Sequence, residues 1–238
     1  MRIGSSSDSN SSSILHLPQW SVTSFGTPLE LYKSHHKFSQ PPLLFIGGVH
    51  GDEPEGVYLA EDMILWLKSL SESARTKFQP WMLIPCLNPD GYKKYERTNG
   101  NGVDLNRNFP SRDWSSEHEK PRYFPGTQPN SEKETQSLVK LIEAEKPRLI
   151  IHFHSWEPCV VYTGDPGAKA AQLLGQSSGY EARPTIGYPT PGSLGQYGWL
   201  ENRIPVICIE EIERPKRETI WPRFKIGLEK ILLGEDRR

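Results

Sequence analysis

The stretch "GGVHGDEPEG" (residues 47–56) places His50, Asp52, Glu53 and Glu55 on a glycine-rich turn directly after the apolar run "LLFI". A histidine and a carboxylate three residues apart on one turn can offer a nitrogen and an oxygen to one zinc ion, with bonds of about 2.0–2.2 Å. Catalytic zinc takes three protein ligands and keeps one position open for water, so a third donor is expected at another strand end. "RLIIHFHSW" (148–156) supplies it. Side chains alternate along a strand, which puts His152 and His154 on one face with His154 nearer the exit. His154 is therefore the expected ligand, and His152 reads as a core residue. His16, His35, His36 and His118 have no such context and are expected at the surface. Asp52 and Glu55 are expected to serve the positive end of the helix that follows.

A second cluster lies in "NPDGYKKYERTNGNGVDLNRNFP" (88–110). Turn chemistry explains its glycines, asparagines and prolines. It does not explain Arg97, Asn106 and Arg107, two guanidiniums and an amide suited to holding a carboxylate by paired hydrogen bonds. "PVICIEEIER" (205–214) reads as a buried strand ending in acids. A carboxylate there can take a proton from a zinc-activated water. Glu210 and Glu211 point to opposite faces, so only one of them can do so. The loop "GYPTPGSLGQYGW" (187–199) holds Tyr188 and Tyr197, either of which can donate a hydrogen bond to a substrate or simply pack.

The elements that carry these groups alternate between strand-length apolar runs and helical stripes. "PLLFIGGV", "WMLIPCL", "RLIIHFH", "CVVYTG" and "PVICIEE" read as strands. Residues 55–70, "SEKETQSLVKLIEAEK", "AKAAQLLGQ" and "ETIWPRFKIGLEKILL" read as helices, the last with a break expected near Pro222. Ser131 and Glu134 have capping-box spacing. This order implies an α/β fold, a mixed, mainly parallel central sheet with helices on both faces, whose ligands bind beyond the carboxyl ends of the strands. The polar tract "GSSSDSNSSS" assigns residues 1–13 to a disordered tail and 14–238 to a single catalytic domain.

Bulk properties narrow the partners. With 28 basic and 29 acidic residues the chain has no electrostatic footprint for nucleic acid. No run approaches the roughly 20 apolar residues of a membrane span, and the start lacks the apolar middle of a signal peptide. Three widely spaced cysteines, each in an apolar run, read as buried thiols in a reducing, cytoplasmic setting. Oligomeric state is not legible.

The ordered set H-x-x-E, N-P-D-G, R, N-R, strand-end H-S and strand-end E, running from about Ser21 to Pro215, resembles the zinc carboxypeptidase family of the carboxypeptidase A type. It is similar in particular to that family's small bacterial branch, the murein peptide amidases, through "GVHGDEPEG", "NGNGVDLNRNFP", "TQPNSEKETQ", "HFHSW" and "GYPTPGSLG". The resemblance implies one zinc ion per chain held by His50, Glu53 and His154. It makes Arg97 the transition-state arginine, Asn106 and Arg107 the carboxylate holders, and Tyr188 the mobile tyrosine. In that family the glutamate stands about five positions after the proline, so the resemblance implies Glu210 rather than Glu211 as general base. The implied substrate is a small peptide, with the γ-D-glutamyl–meso-diaminopimelate bond of murein peptides as the bond cut in wall recycling. An N-acyl amino-acid deacylase of the aspartoacylase type shares H-x-x-E and D-L-N-R, and a zinc-free module that binds peptide ends is a second alternative.

Overall fold

The structure, a computed structural model, describes residues 14–35 and 38–237. The serine-rich start and His36 lie outside the described residues, while His16, His35 and His118 are exposed. Strands β1 (Leu15–Val22), β2 (Pro28–Lys33), β3 (Leu43–Ile46), β4 (Trp81–Ile84), β5 (Leu149–Trp156), β6 (Cys159–Thr163), β7 (Glu181–Arg183) and β8 (Val206–Ile212) form one sheet. Their order is β1-β2-β4-β3-β5-β8-β6-β7. The pairs β3–β4, β3–β5, β5–β8 and β6–β7 are parallel, and β1–β2, β2–β4 and β6–β8 are antiparallel.

Both faces are covered, which explains why β3 and β4 are apolar along their whole length and β5 and β8 begin as apolar runs. On one face Phe45, Ile151, Phe153 and Ile209 pack against three helices, α1 (Pro54–Ser69) and two later ones at 168–178 and 220–232. The other face carries Leu44, Ile46, Met82, Ile84, Ile150 and Val206 under Leu138 and Ile142 of the helix at 133–145. In chain order the remaining helices are α2 (Glu72–Arg75), α3 (Pro89–Lys94), α4 (Lys133–Glu145), α5 (Ala168–Ser178), α6 (Leu194–Gln196) and α7 (Ile220–Leu232). Helix α1 sits so close to β5 that a Cβ on Gly56 would lie 2.3 Å from the Phe153 carbonyl oxygen. Only a residue without a side chain allows that approach.

Several local expectations change. The β1–β2 hairpin and β7 do not stand out in the sequence. Strand β1 contains Pro18, its register with β2 shifts between Leu17 and Ser21, and its side chains are half-exposed, so it carries no clean alternation. Pro222 does not break the last helix. It falls in the first turn of α7, where backbone N–H groups have no intrahelical partner to lose. Ser131 and Glu134 do not form a capping box: Glu132 is the N-cap of α4 and makes no side-chain cap bond. Ser131 Oγ instead donates to Glu132 Oε1 and accepts from Asn108 Nδ2.

Glu134 is 1% exposed, and its Oε2 has no partner. Burial, reinforced by the charges of Glu132 and Asp90, pushes its carboxyl up to about 7. The folded chain then keeps a proton that the unfolded chain releases from about 4.5 upward. Stability from this group is present at lower pH and is lost as pH rises across that window, because the folded state binds the extra proton. Glu134→Gln is expected to flatten the stability profile between those two values and to raise Tm near about pH 8 relative to the parent. Thermal melts across the window check this, and an unchanged slope counts against it.

Candidate active site

The turn after β3 carries His50 and Glu53 into the space above the sheet. It packs so tightly on the next loop that a Cβ on Gly51 would lie 2.1 Å from the Gly91 carbonyl carbon. The Gly51 N–H donates to the Arg97 carbonyl at 3.4 Å, tying the two segments together. Strands β5 and β8 run side by side with His152 opposite Cys208 and His154 opposite Glu210. Period-two alternation places these four side chains on the face that carries Ile150 and Val206, at its carboxyl end.

His50, Glu53 and His154 meet there, each offering a donor atom within 4.8 Å of the others. His50 Nδ1 is 2.8 Å from Glu53 Oε1, and His154 Nδ1 is 2.7 Å from Glu53 Oε2. The two Nδ1 atoms are 3.0 Å apart. Each ring's other nitrogen is engaged outward: His50 Nε2 reaches Asp104 Oδ1 at 3.0 Å, and His154 Nε2 reaches His152 Nδ1 at 2.8 Å. With Nε2–H donated outward on both rings, two Nδ1 lone pairs and a carboxylate converge on one point, a donor set suited to zinc. His152 accepts that bond as a neutral imidazole. Burial, with His154 and His50 nearby, holds its pKa well below the usual value.

Asp104 is 0% exposed and joins several parts of the site. Besides His50 it accepts from Arg97 Nε at 2.9 Å and from the Asn106 backbone N–H at 3.0 Å. Burial alone would raise its pKa, but the Arg97 and His50 charges hold it well below the carboxylate range. Arg97 also donates from Nη1 to Glu53 Oε1 at 3.0 Å. Burial opposes ionisation of Glu53 too, and His50 and His154 keep it well below its ordinary value.

Glu210 and Glu211 separate cleanly. Glu210 lines the cavity, and burial followed by repulsion from Glu53 pushes it up to about 8. Glu211, on the opposite face, accepts from the Tyr180 hydroxyl at 2.6 Å and pairs with Arg223. The cavity has a volume of about 370 Å³ and also takes in Arg97, Asn106, Arg107 and Tyr188. Asn106 Oδ1 accepts from the Leu194 N–H, so its orientation is set from the opposite loop. Tyr188 is half-exposed at the mouth, edge-on to Trp156. Tyr197 is not in the site; it is buried and stacked on Phe109. Glu55 stands in the first turn of α1, at its positive end as expected, while Asp52 precedes the N-cap Glu53, and neither makes a side-chain cap bond. Asp52 accepts from Arg122 at 2.8 Å, and Glu55 accepts from Ser155 Oγ and the Arg214 N–H, bracing the ends of β5 and β8.

Residues 3–190 match the zinc carboxypeptidase family. The chain belongs to that family. Its relatives include murein peptide amidase A of Escherichia coli K12, 33% identical over 166 residues. That alignment covers 65% of this chain and 64% of the relative, so it spans just under two thirds of the relative's length. Murein peptide amidase A of Vibrio campbellii is 31% identical over 198 residues, covering 78% and 75%. The solved murein-tripeptide amidase of Escherichia coli O157 superposes with a TM-score of 0.75 at 27% identity over 90% of each chain. Carboxypeptidase A from Helicoverpa armigera shares the fold, with a TM-score of 0.73 at 17% identity over 94% of this chain and 68% of that one. The family is one of metallopeptidases, and the His50, Glu53 and His154 group is this member's candidate metal site.

Sequence reasoning passed over Asp104 and the partner role of His152. Asp104 stands two residues before Asn106, and an acid so close to N-R was the available signal. His152 is two residues from His154 on the same strand face, which already implied contact. Supporting partners of metal-bound histidines typically change affinity by about 10–100-fold when lost. Asp104→Asn is therefore expected to weaken zinc binding by that order in a chelator competition. It is also expected to lower Tm, because Arg97 loses a buried counter-charge. Affinity unchanged within about twofold would separate Asp104 from the metal site.

Proposed function

We propose that this protein is a zinc-dependent amidase that hydrolyses the γ-D-glutamyl–meso-diaminopimelate bond of murein peptides in the cytoplasm, during cell-wall turnover. One observation carries the reading: the His50, Glu53 and His154 donors face Glu210 in a single cavity that also holds Arg97, Asn106 and Arg107. The cytoplasmic setting is supported by three cysteines that are all unpaired.

When bound, zinc polarises the scissile carbonyl and lowers the pKa of water towards ~7. Glu210 takes the proton of the attacking water and returns it to the leaving amine, and its raised pKa favours the second transfer. Arg97, kept cationic by Asp104 and Glu53, donates to the oxyanion that develops on the carbonyl oxygen. Arg107 and Asn106 hold the carboxylate of the departing residue, and Tyr188 closes over it from the mouth. The γ-D-glutamyl specificity draws support from the relatives' names as murein peptide amidases.

Mass spectrometry of the protein incubated with L-Ala-γ-D-Glu-meso-diaminopimelate is expected to show free diaminopimelate. Release should stop on chelation and return with zinc. Cleavage that persists without metal, or cleavage of an N-acyl amino acid in place of the tripeptide, would sink the proposal. Arg97→Ala is expected to reduce kcat by about 10²–10³, with a smaller change in KM. Metal content and Tm of the variant report whether its site still assembles.

A further inference from the structure

The cavity has two unlike ends. Its inner end is lined by Val161 and Thr163 of β6 and by Gly195 of α6, without a formal charge, next to Asn106 and Arg107. Its outer rim carries Asp52 and Arg122, with Tyr123 beside them. Arg122 is roughly half-exposed and donates from Nη2 to Asp52 Oδ2 at 2.8 Å. Its guanidinium lies 5.7 Å from the centre of the Tyr123 ring, and Arg97 lies 5.3 Å from the same centre. One aromatic ring thus connects the arginine beside the metal donors to the arginine at the mouth. Asp52 is next in sequence to Glu53, so the anchor of Arg122 is fixed to the metal-donor turn itself.

Arg122 has no task in the reaction as described. A guanidinium has five N–H groups, and Asp52 occupies one. No other protein acceptor bonds Arg122 among the described residues. Asp52 therefore fixes the direction of the fork and leaves donors for an anion. If Asn106 and Arg107 hold the carboxylate on the leaving-amine side, the acyl side of the substrate runs from the metal donors to the open rim. An ordinary α-peptide presents a neutral amide there. A γ-linked glutamyl residue presents a free α-carboxylate, three carbons removed from the scissile carbonyl. The acid Glu213 also lines the cavity and repels an anion, whereas Arg122 is the guanidinium at the rim with donors left free by Asp52. An acyl-side anion is thus directed to Arg122.

We propose that Arg122, oriented by Asp52, binds the free α-carboxylate of a γ-linked glutamyl residue and thereby makes the site select γ-glutamyl amides. This assignment rests on the function proposed above and deepens it. The test compares two substrates, the γ-D-glutamyl tripeptide with its α-carboxylate free and the same peptide with that group converted to the α-amide. The parent enzyme is expected to prefer the free acid by about tenfold in kcat/KM, mainly through KM, the size of one charge-assisted hydrogen bond at a partly exposed site. Arg122→Ala is expected to abolish that preference, and Arg122→Lys to keep part of it. A parent that cleaves acid and amide equally, or an Arg122→Ala variant that keeps the full ratio, overturns the assignment while leaving the amidase reading intact. A parent that cleaves neither peptide removes both.

Discussion

Asp104 has no contact with solvent, yet it remains ionised because three donors converge on it from three parts of the chain: His50, Arg97 and the backbone of Asn106. An unpaired charge at such depth would cost several kcal/mol, so these groups are constrained to be where they are. The His50 contact selects the tautomer that turns Nδ1 towards Glu53 and His154. The Arg97 contact holds a guanidinium beside the same donors. The Asn106 contact caps the 3-10 turn that presents Asn106 and Arg107 to the cavity. The three functions proposed for these groups, metal binding, oxyanion stabilisation and carboxylate recognition, would thus be coupled through one buried carboxylate. A change in its geometry cannot be confined to one of them.

The sheet supplies the other half of the positioning. Parallel strands β3, β5 and β8 end at one edge, and their register sets the lateral offsets between donors. A slip of one residue in β5 against β8 would turn His154 away from Glu210 and drive it into the apolar layer beneath α1, α5 and α7. The apolar residues that alternate with them, Ile151, Phe153, Ile207 and Ile209, are fully buried on that side and make such a slip costly. Core packing on one face thereby holds the geometry of the candidate site on the other.

The parts of the site that lie in short motifs at strand ends were legible from residue order. His50 and Glu53 share one turn, His154 sits at the exit of an apolar run, and Arg97, Asn106 and Arg107 stand out against a turn-rich loop. The supporting contacts were less legible: those of Asp104 with His50 and of Arg122 with Asp52 join residues far apart in sequence, and each side chain has several uses open to it. A carboxylate in "VDLNR" can cap a turn, and only the tertiary fold shows that Asp104 also lies under His50. Arg122, in "PRYF", has no local pattern at all; its placement depends on Asp52, seventy residues earlier. The same limit applies to the fold, where strongly apolar central strands were readable and the half-exposed β1–β2 hairpin with its internal proline was not.

Adjacent Glu210 and Glu211 show how one backbone divides two chemically identical groups between two tasks. Glu211 sits under α7 with Arg223 and Tyr180 as partners, so it fastens a helix to the sheet and has no access to the cavity. Glu210, one pleat along, has a cysteine thiol as its only side-chain partner among the described residues, at 3.2 Å, and lies within reach of the field of Glu53. Burial and that like charge disfavour its ionised form, the condition in which a carboxyl both accepts and releases a proton near neutrality. Burial raises the Glu211 pKa as well, against the opposing Tyr180 hydroxyl and Arg223, so what keeps it from that exchange is its place outside the cavity. The difference between structural and chemical roles here follows from strand alternation, since one face of β8 opens on the cavity and the other on α7 with Arg223 and Tyr180.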